Sequence, residues 1–207
     1  MPEIKFSESD HVYTVDGKVT PSVTQALNEW VKVTINGERW HINRFSGAAI
    51  PSRKMEEGAA KGQDIHAGAN LILQGGIDWD SLAEEYVGPL KQFEQWLKDF
   101  GIEPLYSELM VYNSKMGYAG TIDLVAPIDK ALGLIDFKTG DCGTVGPQLS
   151  AYEKAYCDQE KYVGRTARYA LWLPKSGKPY KFEKLTNEGD WDFFKSCLFQ
   201  KGYLNVR

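Results

Sequence analysis

Hydrophobic and polar positions alternate in some parts of the chain and recur with helical spacing in others. The run HVYTVDGKVT alternates around Asp16-Gly17, a dipeptide that favours a two-residue turn, so a hairpin is predicted there. Ser22 opens the segment SVTQALNEW and is placed to cap a short helix. Residues 31–52 contain the strand-like run VKVTI, and we expect the rest of that stretch to be irregular.

Two helices are predicted next, over residues 54–73 and 79–99. In the second, apolar residues recur at steps of three and four, which places them on one face of a helix. Gly75-Gly76 would end the first helix, and Gly101 fits the position just past the end of the second.

The period of the pattern then changes from helical to alternating. PLYSELMVYN, GYAGTIDLVAP and ALGLIDFKTG are three strand-like runs with short connections, so they predict an antiparallel meander. A helix over PQLSAYEKAYC, two further strands and a last helix over about 189–200 complete the order. The predicted fold class is therefore α/β, with a mixed sheet whose central antiparallel meander is flanked by helices.

Composition excludes several classes of protein but does not identify a function. The 207 residues suit one domain, and 43% apolar with 25% charged residues is typical of a globular chain. No uncharged run approaches the length of a membrane span, and the N-terminus lacks the pattern of a secretory signal. Three cysteines without a CxxC pair favour the reducing cytoplasm and support neither a zinc site nor an iron–sulfur cluster; they are Cys142, Cys157 and Cys197.

A pair of acidic residues carries the first chemical signal. Asp136 and Lys138 are two apart on a predicted strand, so they share a face. If the turn is centred between Asp129 and Lys130, paired residue numbers sum to 259 and Asp123 falls opposite Asp136. Like charges opposite each other are destabilising, so such a site needs a compensating cation or a raised pKa on one acid. Lys138 supplies one positive charge, and a divalent metal such as magnesium or manganese would supply the rest. Alternatively, Asp129 and Asp136 are strand-end or turn residues, and Lys138 pairs with one of them at the surface.

This segment resembles the core of the PD-(D/E)XK nuclease superfamily, in the branch of RecB-type and phage-type exonucleases. Six motifs of that branch occur in order along about residues 20–155. They are Pro21-Ser22-Val23-Thr24, Gly62-Gln63-Asp64-Ile65-His66, Glu108 in YSELMVY, Gly120-Thr121-Ile122-Asp123, Asp136-Phe137-Lys138-Thr139-Gly140 and Gln148-Leu149-Ser150-Ala151-Tyr152. The chain departs from the pattern in two ways: no proline precedes Asp123, and the cysteine cluster of the iron–sulfur members is missing.

The resemblance implies a restriction-endonuclease-like core in a single nuclease domain over 1–207. Residues 1–53 would form the N-terminal hairpin and a basic aromatic segment, and 54–207 the catalytic core. No iron–sulfur cluster is carried over. The implied cofactor is Mg²⁺, and we expect Mn²⁺ to substitute for it.

The same resemblance implies roles for individual residues. Asp123, Asp136 and the backbone carbonyl of Phe137 would hold the metal, with His66 as a further ligand, and Lys138 would position or activate the attacking water. Glu108 would act as a ligand through water, as a ligand of a second metal, or as an orienting group. The residues alone leave other interpretations open: His66 as a packed core histidine, Glu108 as a solvent-facing acid, and Tyr152 as part of an apolar helix stripe.

DNA is the partner that the resemblance implies, with Gln148 and Tyr152 near its backbone. Residues 30–61 would line a groove for a strand end, because this stretch is basic and carries tryptophans. Its candidate phosphate contacts are Arg39, Arg44 and Arg53, and a second basic stretch covers residues 161–184; either could also be a solvated face. No membrane contact is expected, while a recombination partner protein or self-assembly stays open.

The predicted function is thus a metal-dependent DNA exonuclease of phage or bacterial recombination or repair. A structure-dependent or restriction-like endonuclease of the same superfamily is the alternative within enzymes. A noncatalytic DNA-binding module is the alternative outside them, although intact Asp123, Asp136 and Lys138 argue against it.

Overall fold

A computed structural model describes residues 2–7, 10, 12–44, 46–140 and 143–203. Cys142 therefore lies outside the described residues. In chain order the elements are β1 (Ile4–Ser7), β2 (Val12–Val15), β3 (Lys18–Thr20), α1 (Val23–Leu27), β4 (Trp30–Ile35), β5 (Glu38–Asn43), β6 (Ala49–Pro51), α2 (Ser52–Leu73), α3 (Glu84–Phe100), β7 (Tyr106–Asn113), β8 (Tyr118–Ile128), β9 (Ala131–Lys138), α4 (Val145–Glu160), β10 (Thr166–Trp172), β11 (Lys181–Leu185) and α5 (Asp190–Gln200).

The central sheet has five strands in the order β11-β10-β9-β8-β7. Strands β7, β8 and β9 form the predicted antiparallel meander, and β10 lies parallel to β9 after the crossover through α4. Strand β11 returns antiparallel to β10. The mixed α/β fold class is confirmed at this level.

The turn between β8 and β9 sets the register that the acidic pair depends on. Asp129 and Lys130 both have positive φ, 49° and 63°, as a two-residue hairpin turn of the favoured hand requires. Leu124 pairs with Ile135, and this pair sums to the predicted 259. Asp123 and Asp136 follow directly after that pair along the two strands.

Helices cover both faces of the sheet, each over its own apolar cluster. On one face α1, α4 and α5 pack against the sheet through residues such as Leu149 and Phe194. On the other, Phe93 and Trp96 of α3 pack with Ile65 of α2. This three-layer arrangement buries the sheet on both sides, so β8 and β9 read as nearly continuous apolar runs.

Several boundaries follow the sequence signals. Ser22 caps α1 with a complete capping box, in which its hydroxyl accepts from the backbone N–H of Gln25. Gly101 ends α3 in the left-handed conformation with φ 56°. Asp16 and Gly17 form the predicted turn, and the predicted hairpin is extended by β1 into a three-stranded sheet.

The stretch 31–52 was wrongly expected to be mostly irregular. It forms a three-stranded antiparallel sheet in the order β4-β5-β6, and α2 begins directly after it at Ser52. The turn between β4 and β5 is Asn36-Gly37, with φ of 51° and 81°, which is the same kind of hairpin signal as Asp16-Gly17. Within the described residues, no helix combines the length and apolar character that crossing a bilayer requires.

Candidate metal centre

Two buried carboxylates lie where β8 and β9 run side by side. Asp123 is 8% exposed and Asp136 is 1% exposed. The Oδ2 atom of Asp123 accepts a hydrogen bond of 2.6 Å from the backbone N–H of Phe137. Because that donor is fixed by the strand, the Asp123 carboxylate is held in one orientation.

His66 reaches this pair from α2, which packs on the sheet face that carries Phe137. Its Nδ1 atom is 3.5 Å from Oδ2 of Asp123. The imidazole also meets the ring of Phe137 edge-on, with ring centroids 5.7 Å apart. The helix and the sheet therefore fix the ring from two sides, with one nitrogen towards the carboxylate.

Glu108 completes the cluster from an unusual backbone position in β7. Ser107 pairs with Leu124 and Leu109 with Ile122, but Glu108 and Asp123 are left out of the ladder between these pairs. Glu108 has φ 50°, a conformation that a side-chain-bearing residue in a strand seldom adopts and that costs roughly 1–3 kcal/mol.

The facing of β8 reverses at the same place. Ile122 packs in the cluster under α4, whereas Leu124 packs in the cluster under α2 and α3, although a regular strand would put both on one face. The local reversal lies at Asp123, directly beside Glu108. Backbone irregularity thus coincides with the acidic cluster, as it often does at functional sites.

The structure brings His66, Glu108 and Asp123 together as a candidate metal-binding triad. One ligand atom from each lies within 4.8 Å of the others. One imidazole and two carboxylates suit a divalent ion such as Mn²⁺ or Mg²⁺, and two acids brought together need a cation. Asp136 is not a member of this close group, so its ligation, like that of the Phe137 carbonyl, stays a prediction.

The charges of the cluster shift its titration. Burial raises the pKa of Asp136 to about 6, with Asp123 adding to the shift and Lys138 opposing it. Partial loss of hydration, with repulsion by Asp123, raises the pKa of Glu108 to about 7, although the residue as a whole is exposed. For Asp123, burial acts upward, but His66 and Lys138 outweigh it and its pKa is lowered. Burial alone would lower the pKa of His66, yet Asp123 raises it to about 9.

Lys138 belongs to a network on the α4 side of the sheet. Its Nζ atom is 2.5 Å from Oδ2 of Asp136 and donates to Oε1 of Gln148 at 3.1 Å. Gln148 in turn donates from Nε2 to Oδ1 of Asp136 at 2.8 Å and to the Tyr152 hydroxyl at 3.0 Å. Oδ2 of Asp136 is buried, and the Lys138 ammonium is its charged partner in the structure.

Gln148 and Tyr152 do not form an exposed surface of the kind that contacts DNA. Both are buried, at 7% and 3% exposure. A Cβ atom on Gly120 would lie only 2.5 Å from Cε1 of Tyr152, so the glycine of the Gly-x-x-Asp motif makes room for this ring. These contacts make the two residues supports of Asp136 and Lys138, and a DNA contact by either stays a prediction.

A cleft of about 400 Å³ opens beside the cluster, and His66, Phe137 and Lys138 lie on its wall. Further along it is lined by Lys54 of α2 and by Lys175 from the loop after β10. Each of the two basic stretches noted in the sequence thus contributes one lysine to the cleft, a proximity that no local pattern could indicate.

The three arginines expected to contact phosphate are dispersed. Arg39 is exposed on β5, and Arg53 pairs with Glu57 one turn later at 2.9 Å. Arg44 directly follows β5, and its charge adds to burial in lowering the pKa of Lys201 after α5. None of the three arginines lines the cleft.

Tyr13 is a neighbour of the site that the motifs did not indicate. It comes from β2, is buried, and its hydroxyl is 2.7 Å from Oγ1 of Thr121, two residues before Asp123. Burial raises the pKa of Tyr13, and the charges of Glu108 and Asp123 add to the effect. The alternating pattern predicted the hairpin that carries Tyr13, but the docking of the N-terminal sheet on β7 and β8 had no sequence signal.

The comparisons add no relative to this description. No model of a known protein family and no curated protein sequence matches the chain.

Proposed function

We propose that the protein is a metal-dependent DNA exonuclease of the PD-(D/E)XK type. The observation that supports this most directly is the convergence of His66, Glu108 and Asp123 within 4.8 Å. These three residues lie far apart in the sequence and come from α2, β7 and β8, yet each belongs to a different motif of the resemblance.

The fold supports the proposal at the level of architecture. In this chain the acid of Gly-x-x-Asp and the acid of Asp-x-Lys lie on adjacent antiparallel strands of a mixed sheet, with helices on both faces. The motif histidine is on α2, and the Gln-x-x-x-Tyr motif begins on the first turns of α4, against the acids. A restriction-endonuclease-like core would have these features, and the assignment of that core is part of the proposal.

In the proposed reaction, His66, Glu108 and Asp123 hold the cofactor, with Asp136 and the Phe137 carbonyl as proposed further ligands. A bound Mg²⁺ ion would supply an activated water and neutralise charge on the scissile phosphate. The single imidazole favours Mn²⁺ as an effective substitute. Because its raised pKa keeps His66 protonated at neutral pH, this residue must release a proton before it can act as a ligand.

Lys138 is the residue of the chain that we assign to the reacting atoms. Its ammonium group, held by Asp136 and Gln148, can donate a hydrogen bond to the attacking water or to a phosphate oxygen. The buried ion pair with Asp136 holds this ammonium group at one side of the cleft. This role requires the charge and reach of lysine, so a shorter or neutral side chain cannot replace it.

The test is incubation of the purified protein with end-labelled linear DNA and with closed circular DNA, in Mg²⁺, Mn²⁺ or EDTA. We expect linear DNA to be degraded with either metal, circles to be spared, and both to survive in EDTA. Lys138→Ala should be folded and inactive, because it removes the ammonium group from the reacting atoms. Nicking of closed circles by the wild type would favour an endonuclease, and cleavage at the wild-type rate by Lys138→Ala would refute the assignment of this residue.

A further inference from the structure

The cleft beside the triad extends past the residues that would carry out hydrolysis. Lys175 lines this cleft, and its Nζ atom donates a hydrogen bond of 2.9 Å to the backbone carbonyl of Gly58 on α2. Gly58 precedes His66 by eight residues, just over two turns of the same helix, so Lys175 and His66 contact different levels of α2. Lys175 and the triad therefore occupy different parts of the cleft wall.

Lys54 lies on the same side of α2. It precedes Gly58 by four residues, so the two positions are neighbours on one helix face and Lys54 flanks the place where the Lys175 ammonium is held. Lys54 lines the same cleft. In the part of the chain that the structure describes, neither lysine forms an ion pair with a carboxylate, whereas nearby Lys61 pairs with Glu85.

We propose that Lys54 and Lys175 form a binding subsite for a backbone phosphate that neighbours the bond being cut. This inference rests on the proposed function and adds how the site recognises its substrate: through the charge of a linkage next to the scissile one, which an isolated phosphodiester lacks.

The lining of the cleft fits such a strand. None of the described residues that line it is acidic, and three lysines, Lys54, Lys138 and Lys175, make its wall basic. Between Lys54 and His66, the wall on α2 is formed by Met55 and by the small residues Gly58 and Ala59, and the small residues let a sugar–phosphate backbone approach the helix. Binding at this subsite would hold a strand along α2, with its neighbouring linkage directed to Lys138.

The experiment compares two phosphodiester substrates, one with a phosphate next to the bond that is cut and one without. The first is a short single-stranded oligonucleotide, and the second is a nitrophenyl ester of thymidine monophosphate, which has no neighbouring phosphate. Lys54→Ala and Lys175→Ala are measured on both, with Lys178→Ala as the control, since Lys178 is exposed close to Lys175 in the chain but does not line the cleft.

We expect kcat/KM for the oligonucleotide to fall by about tenfold in each cleft variant, the loss typical of one charge-assisted hydrogen bond. Hydrolysis of the small ester should stay unchanged, and Lys178→Ala should match the wild type on both substrates. If the cleft variants equal Lys178→Ala on the oligonucleotide, or lose both substrates equally, the subsite is refuted. A wild type that hydrolyses neither substrate would instead refute the proposed function itself.

A modified substrate locates the phosphate. A single neutral methylphosphonate linkage is placed in turn at each position next to the bond that is cut. The wild type should lose activity at one particular position, and the Lys54→Ala Lys175→Ala protein should lose nothing further there, because the contact is already gone. Equal losses in both proteins at every position would contradict the inference.

Discussion

Single residues at the centre carry charges that a folded chain usually keeps apart. Asp123 and Glu108 lie across from each other on adjacent strands, and Asp136 follows on the next strand. His66 and Lys138 compensate part of this charge, at 3.5 Å from Asp123 and 2.5 Å from Asp136. In the absence of a cation the acids repel one another, so the site itself should limit stability.

Glu108→Gln tests this repulsion. Without metal and above about pH 7, where Glu108 is ionised, the variant should be more stable than the wild type by about 0.5 kcal/mol, because a like charge opposite Asp123 is removed. With Mn²⁺ the order should reverse, since one anionic ligand is lost and binding to the folded state stabilises it less. Thermal unfolding in EDTA and in Mn²⁺ measures both effects.

Glu103→Gln is the matched control, because Glu103 is an exposed acid just before β7. It should change neither melting temperature nor the metal-induced increase. If Mn²⁺ raises the melting temperature of Glu108→Gln as much as that of the wild type, Glu108 is not a ligand in the metal-binding triad.

At the level of elements, the fit between α4 and β8 sets the geometry of the site. Gly120 leaves the space that the Tyr152 ring occupies, and Tyr152 in turn accepts from Gln148, which holds Asp136 and Lys138. Gly120 has no positive φ that would itself require glycine. The glycine is therefore needed for the space that it leaves to Tyr152.

Gly120→Ala should therefore destabilise the protein by about 1–3 kcal/mol, because the added methyl group overpacks the contact with Tyr152. Denaturant unfolding of the variant beside Gly143→Ala provides the comparison, as a Cβ at Gly143 would meet no atom within 4 Å. If both variants unfold at the same denaturant concentration, α4 is not packed on β8 as described.

How far the sequence predicts the structure also depends on the element. The turn at Asp129-Lys130 and the Ser22 cap are local signals, and both were confirmed because a few adjacent residues decide them. The β4-β5-β6 sheet differs from the irregular segment expected there, although Asn36-Gly37 is a hairpin signal. The tryptophans and charges around this turn had indicated a DNA-binding segment instead.

The candidate site shows the same division. Motif spacing indicated His66, Asp123 and Asp136, but the left-handed conformation of Glu108 and the approach of Tyr13 depend on how strands dock in three dimensions. Contacts between residues separated by a hundred positions leave no periodic pattern in the chain.

For the whole molecule, the shifted pKa values predict how stability depends on pH. The folded pKa exceeds the ordinary value for Asp136 (3.8 to about 6), Glu108 (4.5 to about 7) and His66 (6.5 to about 9). Between each pair of values the folded state holds more protons than the unfolded state, so stability falls as pH rises. The metal-free protein should lose stability steadily from about pH 4 to about pH 9, with His66 contributing on the order of 1–3 kcal/mol.

Denaturant unfolding in EDTA at acidic, neutral and mildly alkaline pH measures this slope. Mn²⁺ should flatten or reverse it, because metal binding improves as His66 and the acids lose their protons. Stability that rises with pH in EDTA would contradict the described arrangement of charges.

The central claim is that the triad holds the metal with which the protein hydrolyses DNA. Its most direct test is the rate of linear DNA degradation as a function of Mg²⁺ concentration, for the wild type and for Asp123→Asn. Asparagine keeps the size of the side chain but removes the negative charge that pairs with His66 and that would hold the cation. We predict a saturable Mg²⁺ dependence for the wild type and no degradation by Asp123→Asn at any concentration; wild-type degradation in EDTA, or the same curve for both proteins, would contradict the claim.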